Sequence, residues 1–87
     1  MQKIIIYTKK TCPYCDMAKA LLAKFGVTEY HEIKIDEDIS KIDEMITLTQ
    51  RKTVPQIFIG KFHVGGYDDL VKLHQDGKLL NLLQTND

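Results

Sequence analysis

The sequence predicts an α/β domain in which one four-stranded mixed sheet is flanked by helices. Three observations predict it. A β-branched run near the N-terminus lacks polar alternation, as a strand buried on both faces does. Apolar residues then recur at helical spacing and a second strand-like run follows, which implies a parallel pair joined by a right-handed crossover. Near Gly60 two short strand-like runs flank a Gly-Lys pair, the pattern of an antiparallel hairpin. The predicted order is β-α-β-α-β-β-α plus a short C-terminal helix. All 87 residues, 1–87, fall in a single domain, with no linker or internal repeat.

Lys3 to Tyr7 (Lys-Ile-Ile-Ile-Tyr) is the first strand, central in the sheet. Thr8 to Thr11 is a polar loop. Pro13 suits the first helical position, where its missing N–H would be unpaired anyway. That helix runs to about Phe25 and stops at Gly26, with Ala18, Leu21, Leu22 and Phe25 on the buried face. Glu29 to Ile35 is the second strand, with Ile33 and Ile35 on one side. The acidic turn at Asp36 to Asp38 opens a second helix capped by Asp38, with Ile39, Ile42, Ile46 and Thr49 as its inward stripe. This helix ends near Gln50 to Lys52, before Thr53-Val54-Pro55. Gln56 to Ile59 and Phe62 to Val64 are the hairpin strands. Gly65-Gly66 turns into a helix starting near Asp68 and stopping near Gly77, and Leu79 to Leu83 is the last helix.

Composition narrows the function. The 44% hydrophobic content supports a real core. Twelve basic and twelve acidic residues cancel, which argues against nucleic acid or an anionic membrane as partner, since both select a basic excess. Locally the charge is uneven: Lys3, Lys9 and Lys10 precede Cys12 with no acid among them, whereas Asp36 to Glu44 is acidic. No segment reads as a signal peptide or reaches membrane-spanning length, so the expected location is cytoplasmic. In that reducing compartment a closely spaced cysteine pair points to redox chemistry or metal binding rather than a staple.

Cys12-Pro13-Tyr14-Cys15 is the strongest signal. Two residues between cysteines at a helix start let the sulfurs meet in a small reversible disulfide. Cys12 precedes the helix, where backbone N–H groups are unpaired and the dipole favours an anion. Its pKa is expected to fall from the free value of about 8.5; Lys9 and Lys10 act in the same direction. Cys15 precedes Ala18 by three residues and Leu22 by seven, on the apolar face, so it is the more buried thiol. Cys12 is thus expected to attack and Cys15 to resolve. A structural zinc site needs four ligands, and His31, His63 and His74 are scattered singly, so no metal is expected.

The chain resembles the glutaredoxins along nearly its whole length. The resemblance rests on Tyr7-Thr8-Lys9, on Thr11 to Cys15, on Thr53-Val54-Pro55-Gln56-Ile57-Phe58-Ile59-Gly60, and on Gly65-Gly66-Tyr67-Asp68-Asp69-Leu70. It implies the thioredoxin fold and a glutathione-dependent thiol–disulfide oxidoreductase. By this resemblance Pro55 is cis and the backbone of Val54 pairs with the cysteinyl part of glutathione beside Cys12, with Thr53 in the same motif. Gly66 and the N–H groups of Tyr67 and Asp68 form the site for the γ-glutamyl carboxylate, and Asp68 takes the amino group. Lys9, with Lys52 or Arg51, attracts the glycine carboxylate, and Tyr14 flanks the sulfur. Tyr67 stands where some relatives have a small residue or cysteine.

The implied reaction reduces glutathione mixed disulfides and protein disulfides, with glutathione as co-substrate and no cofactor. The implied partners are glutathione and glutathionylated or disulfide-containing proteins, and the chain is expected to be a monomer. Two alternatives stay open at this point: a thioredoxin-like redoxin reduced by a flavoprotein reductase, and a dimer holding an iron–sulfur cluster on Cys12 and glutathione. Pro13 and Tyr14 disfavour the second.

Overall fold

In the computed structural model, which describes residues 2–85, the β-branched run forms strand β1 (Ile4–Thr8). Helix α1 (Pro13–Lys24) and strand β2 (His31–Lys34) follow, then α2 (Ser40–Thr49), β3 (Gln56–Ile59), β4 (Phe62–Gly65), α3 (Tyr67–Gln75) and α4 (Leu79–Gln84). The sheet order is β2-β1-β3-β4, so β1 is internal as its composition requires. β1 runs parallel to β2, with Tyr7 opposite Ile33. It runs antiparallel to β3, with Tyr7 opposite Gln56, and β3 runs antiparallel to β4.

The unbroken apolar run of β1 serves two cores, because successive side chains leave a strand on opposite faces. Ile4 and Ile6 join Ala18, Leu22, Ile57, Leu70 and Leu83 on the side of α1, α3 and α4. Ile5 and Tyr7 join Ile33, Ile35, Met45 and Phe58 on the side of α2. Each fully covered Leu or Ile contributes about 1.5–3 kcal/mol by burial.

Helix α1 ends as its sequence predicts. Gly26, at φ +83°, takes the left-handed position after the Phe25 cap, and Val27 N–H donates to Leu22 O while Gly26 N–H donates to Ala23 O. These paired bonds are a Schellman closure.

Several boundaries differ from expectation. β2 is shorter than Glu29 to Ile35, because β1 offers partners only from Ile5 to Thr8; Ile35 N–H still donates to Thr8 O just past the strand. Asp38 does not cap α2. The N-cap is Ile39, without a side-chain bond, and the Asp38 carboxylate instead closes a local turn by accepting from Ser40 N–H and Oγ. Ile39 has stripe spacing yet is 80% exposed, because at the helix start nothing covers it. The buried positions of α2 are Met45 and Thr49, with Ile42 and Ile46 half-buried. No helix among the described residues is long and apolar enough to cross a membrane.

Candidate active site around Cys12

The site begins where β1 ends. Cys12 is the N-cap of α1, in extended conformation, and its Sγ accepts the backbone N–H of Cys15 at 3.1 Å. Cys12 and Cys15 form a disulfide with Cα atoms 5.2 Å apart. Cys15 is 1% exposed and Cys12 6%, so Cys15 lies deeper while Pro13 and Tyr14 face solvent. Pro13 has no N–H and Asp16 N–H donates to Cys12 O, so the sulfur takes the Cys15 N–H at the helix start.

Strand pairing supplies the first wall. Since Tyr7 is opposite Gln56, the residues before Gln56 lie beside those after Tyr7. The Val54–Pro55 bond is cis, and Val54 O lies 3.9 Å from Cys12 Sγ. Gln56 is fully buried and holds this loop from below. Its Nε2 donates to Thr53 O at 3.0 Å, which leaves Oε1 to accept from His63 Nε2 at 2.8 Å. Burial and the nearby Arg51 charge lower the His63 pKa, against a smaller opposing effect of Asp69.

The second wall is the β4–α3 turn. Gly65 has φ +113°, and a Cβ there would overlap the Asp69 carboxylate and the Arg51 guanidinium. Asp69 Oδ2 accepts from Arg51 Nη1 at 2.7 Å and from Gly66 N–H at 2.9 Å. The Arg51 bond, helped by the Gly66 N–H and opposed by burial, holds the Asp69 carboxyl below its ordinary pKa. Across the mouth the rings of Tyr14 and Tyr67 lie 6.0 Å apart.

Two adjoining grooves result. One, of about 280 Å³, is lined by Tyr14, Arg51, Thr53 to Pro55 and Gly66 to Asp69. The other, of about 340 Å³, includes Lys9, Cys12, Tyr14, Lys52, Thr53 and Val54. The structure therefore brings Lys9, Cys12, Tyr14, Thr53, Val54, Pro55, Gly66, Tyr67 and Asp68 to these two grooves, with Cys15 beneath Cys12. Asp68 is exposed and makes no side-chain hydrogen bond among the described residues, in contrast to its neighbour Asp69. The Arg51–Asp69 and Gln56–His63 pairs were not legible in the sequence. They join separate elements, and neither spacing nor motif signals them.

Residues 4–64 match the family model described as Glutaredoxin. The chain belongs to the glutaredoxin family. It is a thiol–disulfide oxidoreductase of this glutathione-dependent family. Glutaredoxin 3 of Escherichia coli strain K12 is 51% identical over 84 residues, covering 97% of this chain and all of that one. A glutaredoxin of Neisseria meningitidis serogroup A is 48% identical over 83 residues, covering 95% and 98%. The solution structure of glutaredoxin from Brucella melitensis matches with a TM-score of 0.84 and 48% identity, covering 100% of this chain and 94% of that one. The crystal structure of a buckwheat glutaredoxin–glutathione complex matches with a TM-score of 0.85 and 32% identity, covering 94% and 76%. The mixed sheet with helices on both faces is the thioredoxin fold of these glutaredoxins.

Proposed function

We propose that Cys12 is the attacking thiolate and that the two grooves hold the glutathionyl part of a mixed disulfide. The observation that carries this reading is the position of Cys12 Sγ at the head of α1, accepting the Cys15 N–H at 3.1 Å beside Val54. A thiolate there keeps that donor and faces the positive end of the helix dipole. The likeness to a glutaredoxin solved with glutathione supports glutathione as co-substrate.

In the first step the Cys12 thiolate attacks the glutathionyl sulfur. The substrate thiolate leaves and takes a proton from solvent, and Cys12 carries glutathione. A second glutathione, as thiolate, attacks that sulfur and departs as glutathione disulfide, restoring Cys12. With a protein disulfide, Cys12 forms the mixed disulfide and Cys15 displaces the protein thiol, leaving the Cys12–Cys15 disulfide for glutathione to reduce.

Each groove residue has a role in this reading. The Val54 backbone pairs with the cysteinyl unit, and Thr53 and Pro55 shape its wall. Lys9, with Lys52 in the same groove, attracts the glycine carboxylate; Arg51 lines the other groove, paired with Asp69, and has no part in that contact. The N–H groups of Tyr67 and Asp68 receive the γ-glutamyl carboxylate, Gly66 gives it close access, and Asp68 takes the amino group. The first helical bond of α3 runs from Leu70 N–H to Gly66 O and Gly66 N–H is taken by Asp69, so among the described residues the Tyr67 and Asp68 N–H groups are left for a ligand. Tyr14 flanks the sulfur. The chain acts as a cytoplasmic monomer on glutathionylated and disulfide-containing proteins, with no cofactor beyond glutathione.

The test is turnover of a glutathione mixed disulfide of a small thiol, with glutathione, glutathione reductase and NADPH, for wild type, Cys12→Ser and Cys15→Ser. Activity is expected in wild type and Cys15→Ser and absent in Cys12→Ser. Loss in Cys15→Ser would reverse the assignment of roles. Inactive, folded, reduced wild type would point to reduction by a flavoprotein instead.

A further inference from the structure

Two adjacent acids open α3, and the structure gives them different surroundings. Asp68 is exposed and makes no side-chain hydrogen bond among the described residues. Asp69 is committed: one oxygen holds both Gly66 N–H and Arg51 Nη1. This contact ties the segment before Thr53 to the β4–α3 turn, joining the two walls of the groove across a separation of 18 residues. Gly65 leaves the space for it.

The Asp69 carboxylate also creates a difficulty. It puts a negative charge at the helix start to which the γ-glutamyl carboxylate is assigned above, and two anions there repel. Arg51 cancels that charge. A pair with side chains 45% and 41% exposed contributes little to stability. Its effect is expected instead on an anion arriving a few ångströms away.

We propose that Arg51 is a positioning and charge-balancing residue for glutathionyl substrates. By neutralising Asp69 it lets that carboxylate shape the Gly66 turn without repelling the γ-glutamyl carboxylate. The inference rests on the glutathione reading given above.

The experiment compares kcat/KM for two mixed disulfides of one small thiol, one with glutathione and one with cysteinylglycine, which lacks the γ-glutamyl unit. Wild type is expected to prefer the glutathione compound. Arg51→Met is expected to lower kcat/KM for that compound about fivefold through KM, and to leave the cysteinylglycine compound within about twofold. The deficit is expected to shrink in about 0.5 M salt, where charges are screened within a few ångströms. Arg51→Lys keeps most of the preference.

Asp69→Asn added to Arg51→Met is expected to restore the preference, because the amide oxygen still accepts Gly66 N–H without the charge. An unchanged preference in Arg51→Met, or no recovery in the double variant, overturns the proposal. Should the double variant fail to fold, the comparison of Met with Lys at the exposed position 51 decides alone. If wild type itself shows no preference for the glutathione compound, the glutathione reading has failed instead.

Discussion

The backbone N–H of Cys15 lies 3.1 Å from the sulfur of Cys12, which accepts it as the N-cap of α1. In the proposed mechanism the same donor faces a thiolate after reduction. The Cys12 thiol in the Cys15→Ser variant is therefore expected to titrate well below a free cysteine. Thiolate absorbance against pH measures this. Titration at the free-cysteine value would remove the electrostatic basis of the proposed attack.

Lys19 and Glu32 form a partly buried pair at 2.7 Å, and Thr8 Oγ1 donates to the same Glu32 oxygen at 2.6 Å. Burial raises the Glu32 pKa, but the bonds from Lys19 and Thr8 together outweigh it and the net shift is downward. A lowered folded-state pKa gives stability that is complete above the unfolded value, about 4.3, and is lost as pH falls through the folded one. Lys19→Met is expected to cost about 1–2 kcal/mol near neutrality and to flatten the acid limb of a urea-unfolding profile. An unaltered limb would contradict this.

Tyr7 is buried, with its hydroxyl donating to Glu44 Oε2 at 2.6 Å. Burial first, then the bond to Glu44, raises its pKa above the usual phenol value. The sign is opposite to that of Glu32: stability is complete below about pH 10 and is lost as pH rises through the raised folded value. Tyr7→Phe is expected to cost about 1 kcal/mol at neutrality and to soften alkaline unfolding, read by circular dichroism.

Gln50 ends α2 in the left-handed region at φ 61° and ψ 23°, where a side chain is strained. Among the described residues its amide makes a single, exposed bond to Thr47 O. Gln50→Gly is expected to stabilise by about 1 kcal/mol and to raise Tm by about 4–8 °C. A lower melting temperature would show that the Thr47 bond outweighs the strain.

Gly65→Ala has the opposite expectation. The added methyl would displace Asp69 and Arg51 and strain a backbone at φ +113°. Destabilisation of about 1–3 kcal/mol is expected, together with a higher KM for glutathione mixed disulfides. Unchanged stability and KM would mean that the turn repacks without cost.

Much of this was legible in the sequence because it is local. Ile4 to Tyr7, the Pro13 start and the Gly26 stop each follow from a residue's own conformational preferences, and the cysteine motif states its chemistry at short range. What was not legible depends on tertiary placement. Ile39 matches the α2 stripe in spacing, yet at the helix start no partner covers it, and Met45 takes the buried place. Asp38 looks like a cap but bonds Ser40 in a turn one step earlier. The Gln56 and Asp69 side chains brace the groove through His63 and Arg51, partners that no periodicity could indicate.

The wall opposite Cys12 comes from a residue 42 positions later in the chain. On a ribosome adding about 5–20 residues per second, the cysteine pair is made about 2–8 s before Val54 exists to cover it. Until that wall is in place, neither thiol has the cover that leaves Cys12 6% and Cys15 1% exposed in the folded protein. Pairing of β3 with β1 then sets the Val54 wall beside Cys12, and the Gly66 wall follows only when β4 and α3 are in place.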